Sequence, residues 1–180
     1  PLGTPAENRR GLRQLNFLTI DPKDARDFDD AVCVEVLEGG RNRLWVAIAD
    51  VSHYVSPAGA LDEEAQARGF SVYLPHRAVP MLPAVLSSSA CSLEPEKDRF
   101  AMAVSMDLDA AGKLRDFWIG RAMIRSRFRL DYETVAAVLS GDAAVRRRLE
   151  GGPLDELLRL DRVSRLLWAK RRARGMLELE

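Results

Sequence analysis

The chain has 180 residues, enough for one domain with a substantial core, and 47% of them are hydrophobic. Lys and Arg number 27, as do Asp and Glu, so the formal net charge is zero and the basic excess typical of nucleic-acid binders is missing. No apolar run reaches membrane-spanning length and no signal peptide opens the chain, so the expected setting is cytoplasmic, with no membrane partner.

In chain order, residues 1–14 are polar, carry the basic pair Arg9-Arg10, and read as a linker leaving an earlier domain. Residues 15–20 and 31–37 are rich in branched and aromatic side chains with partial alternation, which predicts two strands. Between them, residues 21–30 place five carboxylates in ten positions. A turn over 38–42 leads to a third strand over 44–49. Ser56-Pro57 reads as the start of a short amphipathic helix, with Asp62, Glu63 and Glu64 at its positive end and Gly69 as its stop. Residues 70–74 return to extended chain, and Pro75, Pro80 and Pro83 keep the next stretch irregular.

Two longer strands are predicted over 100–108 and 114–125, joined by a hairpin turn over 109–113. Asp131 is placed to cap a helix over 132–139, followed by helices over 143–149 and 154–174, with Gly175 as terminator. The last helix carries Leu157, Leu158, Leu160, Val163, Leu166 and Leu167 at helical spacing. It ends in Lys170-Arg-Arg-Ala-Arg174, which suits either the helix dipole or an RNA backbone. Strands come first and helices later, which predicts an α+β fold with a mixed, largely antiparallel sheet and flanking helices. Cys33 and Cys91 have no paired spacing and no ligand histidine nearby, so both read as reduced thiols.

The acidic loop carries the chemistry. Crowded aspartates repel, and relief comes from a raised pKa or a bound cation; oxygen-only donors suit Mg²⁺ or Mn²⁺. Asp27 and Asp29 lie two apart and share a face in extended chain, with Phe28 turned the other way as a core anchor. Asp30 faces away in a regular strand, so its joining the cluster requires a turn or bulge. A solvated acidic loop is the plain alternative, although it gains nothing from Phe28. A calcium EF-hand is excluded, since the glycine and glutamate that such a loop requires are missing.

Residues 20–31, Ile-Asp-Pro-Lys-Asp-Ala-Arg-Asp-Phe-Asp-Asp-Ala, resemble the catalytic signature of the ribonuclease II/ribonuclease R family, the RNB-domain exoribonucleases. The resemblance continues through Trp45-Val-Ala-Ile-Ala-Asp-Val-Ser-His-Tyr-Val55, Ser71-Val-Tyr-Leu-Pro75, Val79-Pro-Met-Leu-Pro83 and residues 86–93, which end in Cys91-Ser-Leu93. It implies metal-dependent hydrolysis of single-stranded RNA from the 3′ end to nucleoside 5′-monophosphates. Asp21, Asp27 and Asp30 would be the principal metal ligands, and Asp29 the carboxylate that matters most for chemistry while also touching the metal.

Tyr73 matches a tyrosine set against the terminal nucleotides, and Tyr132 a second aromatic along the same channel; for each the alternative is a half-buried ring packed in the fold. His53, alone after a strand, reads as structural. The resemblance further implies that residues 15–180 are the N-terminal portion of a longer RNB domain, that OB, cold-shock or S1-type RNA-binding modules flank it, and that the parent protein is a monomer. The family's transition-state arginine comes from a later region, so this segment alone is expected to be poorly active. An inactive RNA-binding module of the same fold would be favoured had the aspartates been replaced, and all four family positions are filled.

Overall fold

A computed structural model describes residues 8–177. Nine strands and four helices follow one another: β1 (Arg10–Gly11), β2 (Leu18–Asp21), β3 (Asp30–Val36), β4 (Asn42–Ala49), α1 (Ala60–Arg68), β5 (Val72–Leu74), β6 (Arg77–Val79), β7 (Asp98–Leu108), β8 (Leu114–Arg125), β9 (Phe128–Asp131), α2 (Tyr132–Ser140), α3 (Ala143–Leu149) and α4 (Leu154–Ala173). Seven strands form one sheet in the order β1-β8-β7-β4-β3-β2-β9, and β5 and β6 make a separate hairpin. The interior of the large sheet is antiparallel, while its two edge pairings, β1 with β8 and β2 with β9, are parallel. The α+β expectation with a largely antiparallel mixed sheet therefore holds.

Alternation along the strands sorts the side chains into two layers. One face gathers Ala31, Cys33, Trp45, Ala47, Ala49, Ala101, Ala103, Ala122 and Ile124 with Phe17, Phe28, Leu86 and Leu93. The alanines leave room for the indoles of Trp45 and Trp118, which meet edge to face with centroids 6.1 Å apart. On the other face α2 and α4 cover Leu18, Leu130, Val34 and Leu108 through Val138, Leu157 and Val163. The buried Glu156 of α4 accepts a 2.6 Å hydrogen bond from the Val34 amide of β3, fastening helix to sheet. Farther along that face Ile48, Met102, Phe117 and Ile119 remain exposed.

Several expectations are corrected. The strand expected over 15–20 begins only at Leu18, because Leu15 is held in a turn by its amide bond to the Leu12 carbonyl. Helix α1 starts at Ala60, with Gly59 and not Ser56 at its cap, and none of its residues is buried, so it is not amphipathic in the sense of facing a core. The proline-rich stretch contains β6, and a single π-helical turn over Leu86–Ala90 follows it. Strand β9 and its parallel pairing with β2 were not foreseen. Part of the expected linker lies outside the described residues; within them, Arg10–Gly11 pairs with β8, Leu12 is buried, and the 3% exposed Arg9 side chain forms a 2.6 Å ion pair with buried Asp50. The later elements agree closely with expectation, including the hairpin turn in which Asp109 accepts the Ala111 and Lys113 amides, and the Asp131 cap on α2.

Candidate active site

Residues 22–29 cross from β2 to β3 at one end of the sheet, and three successive peptide groups in this crossing are pinned. The Phe28 amide donates to Ser92 Oγ at 3.0 Å, the Phe28 carbonyl accepts from the Leu93 amide at 2.8 Å, and the Asp29 carbonyl accepts from the Ala49 amide at 2.8 Å. The Phe28 ring is 8% exposed and belongs to the core, as its place between two aspartates predicts. From outside, the Arg129 guanidinium lies 5.1 Å from that ring and donates to the carbonyls of Pro22 (3.1 Å) and Lys23 (2.6 Å). The acidic stretch is thus fixed by its backbone, and its carboxylates point where the fold sends them.

Asp27 and Asp29 fall on one side, as their spacing requires. Both line a cleft of about 820 Å³ together with Asp21, and both line an adjoining hollow of about 270 Å³ that reaches Ile48 and Cys91. The exposed Tyr73, on the β5–β6 hairpin, lines both spaces. Asp30 opens β3 opposite Ile48; it does not line the cleft, but its charge reaches both Asp21 and Asp29. Tyr132 is exposed at the start of α2, beside the Asp21–Asp131 register pair, and lines neither space. Asp24, outside the four acidic positions that the resemblance assigns to the site, also lies on the cleft wall with Arg26, His76 and Arg77.

The electrostatics fit a site built for positive charge. Burial, then repulsion from Asp27 and Asp30, raises the Asp29 carboxyl above the ordinary aspartate value. Asp21 is raised chiefly by burial, with Asp30 and Asp29 adding and Arg129 opposing; Thr19 pulls it the other way but makes no full hydrogen bond. One Asp21 oxygen, Oδ2, is buried without a partner. Such an orphaned anionic oxygen, among oxygen donors alone, suits a hard divalent cation. Among the described residues no three carboxylates converge into a ready cage. That is compatible with Mg²⁺, which keeps several waters and takes only one or two carboxylates directly.

His53 lies elsewhere. Its Nδ1 accepts from Arg9 at 3.3 Å, and its ring packs edge-on against Tyr54 and Phe100, with centroids 4.8 and 4.3 Å away. Burial, then the Arg9 charge, lowers its pKa, so it is a neutral structural residue as expected. Both cysteines are free and buried, and burial pushes the Cys91 thiol up to about 11, so it offers the site no thiolate near neutral pH.

A sequence profile of the RNB domain matches residues 9–180. Ribonuclease R of Acidithiobacillus ferrooxidans is 53% identical over 143 residues, covering 79% of this chain and 32% of that protein. The solved structure of Mycoplasma genitalium RNase R in complex with double-stranded RNA superposes with a TM-score of 0.89 at 34% identity, over 97% of this chain and 31% of that one. Yeast Ssd1, a pseudonuclease, shares the fold alone, with a TM-score of 0.80 at 24% identity over 95% of this chain and 21% of its own. The chain thus spans a third or less of the relatives it matches, and with its acidic loop, its sheet and 172 of its residues inside the profile, it belongs to the RNB-domain family.

Proposed function

We propose that this chain supplies the acidic part of a divalent-metal-dependent exoribonuclease site that hydrolyses single-stranded RNA from its 3′ end to nucleoside 5′-monophosphates. The observation that carries the reading is the shared cleft, in which Asp21, Asp27 and Asp29 face the exposed Tyr73 across a space of about 820 Å³. The family's RNA-bound relatives support it, and so do the filled carboxylate positions, which a binding-only module has no need to keep.

In this mechanism the Tyr73 ring stacks on a terminal base and sets the depth to which the strand enters. Asp21, Asp27, Asp29 and Asp30 would hold Mg²⁺ or Mn²⁺, directly or through water. When bound, such ions neutralise charge on the phosphate and acidify a coordinated water. Asp29, which lines the cleft beside Asp27, orients the attacking water and takes its proton. The water oxygen bonds to phosphorus, the bond from phosphorus to the preceding 3′ oxygen breaks, and that oxygen leaves, taking a proton from solvent water. The Phe28 anchor and its pinned peptide groups keep the carboxylates from moving as charge develops.

The test uses the full-length protein that carries this chain, 5′-labelled single-stranded RNA and Mg²⁺, beside Asp29→Asn and a chelator control. Stepwise shortening from the 3′ end is expected, with turnover falling by orders of magnitude in Asp29→Asn while RNA binding persists. Undiminished cleavage by that variant would remove Asp29 from the chemistry. RNA left intact by the unaltered protein, though still bound, would identify a binding module instead.

A further inference from the structure

We propose that Ser92 is a positioning residue for the nuclease loop, its buried hydroxyl setting the spacing of the Asp27 and Asp29 carboxylates and hence the site's hold on divalent cations. The inference rests on the nuclease reading above. Phe28 stands between the two aspartates, so its amide belongs to the Asp27–Phe28 peptide group and its carbonyl to the Phe28–Asp29 group. The first is held by Ser92 Oγ at 3.0 Å and the second by the Leu93 amide at 2.8 Å; the Asp29–Asp30 group is held by the Ala49 amide. Two of these three bonds come from main-chain donors, which no side-chain substitution removes. The third depends on one hydroxyl.

Ser92 is fully buried, and its own carbonyl accepts a 2.7 Å bond from the Arg99 side chain, which also lies 3.6 Å from Glu94. The hydroxyl therefore sits on a fixed support. What it restrains carries like charge, since Asp27 and Asp30 both repel the Asp29 carboxylate. With the hydroxyl removed, the Asp27–Phe28 peptide group is free to rotate and the two carboxylates spread. Arg129 donates instead to the carbonyls of Pro22 and Lys23 and makes no bond to that peptide group.

The full-length protein would be compared with Ser92→Ala, Ser92→Cys and Asp29→Asn. The readouts are Mn²⁺ binding followed by electron paramagnetic resonance without RNA, kcat and KM on single-stranded RNA, and thermal unfolding. Ser92→Ala is expected to weaken Mn²⁺ binding and lower kcat by roughly 10-fold or more, with the RNA KM little changed, as supporting residues around metal ligands do. Ser92→Cys keeps a weak acceptor of similar size and should fall between Ser92→Ala and the parent; it decides the matter if Ser92→Ala fails to fold.

Unchanged Mn²⁺ affinity in a folded Ser92 variant would overturn the proposal, whether or not melting temperature and kcat fall, because a merely structural serine would give that pattern. If the unaltered protein neither binds Mn²⁺ nor cleaves RNA while its fold is intact, the nuclease reading itself fails and the role of Ser92 with it.

Discussion

A three-residue strand leaves Tyr73 on the wall of the acidic cleft. The ring is 75% exposed on β5 and looks into the same cleft as Asp21, Asp27 and Asp29, whereas a tyrosine kept for packing would be covered. Stacking against a base contributes roughly 1–3 kcal/mol, so Tyr73→Ala should weaken single-stranded RNA binding about 5- to 150-fold, read by fluorescence anisotropy with a chelator present. Tyr132, outside both spaces, should cost less when changed to alanine; equal losses would put it on the RNA path. At this scale the spacing of Asp27, Phe28 and Asp29 was legible, because alternation alone places two carboxylates on one side and an anchor on the other. Ser92 and Arg129 were not legible as supports, because their partners are main-chain groups distant in sequence.

Among the elements, those whose pattern is local were readable: the β7–β8 hairpin with its Asp109 turn, the Asp131 cap and the leucine stripe of α4. Strands β1 and β9 are too short to show a period, and each exists because a distant edge, of β8 or β2, offers it hydrogen bonds. Helix α1 was misplaced because Ser56 and Pro57 imitate a helix start, while Asp62 spends its carboxylate on the Ala58 amide and so favours a turn there.

The α4–β3 junction makes a separate, pH-dependent prediction. Burial raises the Glu156 carboxyl despite its bond from Val34 and the nearby Arg159. A raised carboxyl leaves the fold unpenalised below its unfolded pKa and costs stability as pH climbs from the unfolded to the folded value. Glu156→Gln keeps an acceptor for Val34 without the charge, so its melting temperature should match the parent at about pH 4 and exceed it at about pH 8. Glu156→Leu strands the Val34 amide and should cost about 1–3 kcal/mol at either pH. An advantage for glutamine confined to acid would refute the assignment.

Over the whole molecule, zero net charge coexists with a concentrated acidic loop, and four of the 27 cations, Lys170, Arg171, Arg172 and Arg174, cluster at the end of α4. Composition could not reveal this, since it averages over the surface. It could not reveal either that Arg9 is built into the domain, buried against Asp50 and stacked 4.3 Å from Phe100, because a basic residue near a chain end reads as solvent-facing. The parallel seam between β2 and β9 has a consequence in time. It sets Asp21 beside Asp131 and lets Arg129 grip the Lys23 carbonyl, 106 positions away in sequence. Closing so long a loop costs more chain entropy than zipping β7 onto β8, so the hairpins should form early and the carboxylate loop late. Pulsed hydrogen exchange during refolding of the full-length protein should protect β7 and β8 amides before those of β2 and β9; simultaneous protection would contradict that order. On this account the acidic loop is among the last parts of the domain to mature, and a chain interrupted before residue 128 would hold every aspartate of the loop without the strand that steadies it.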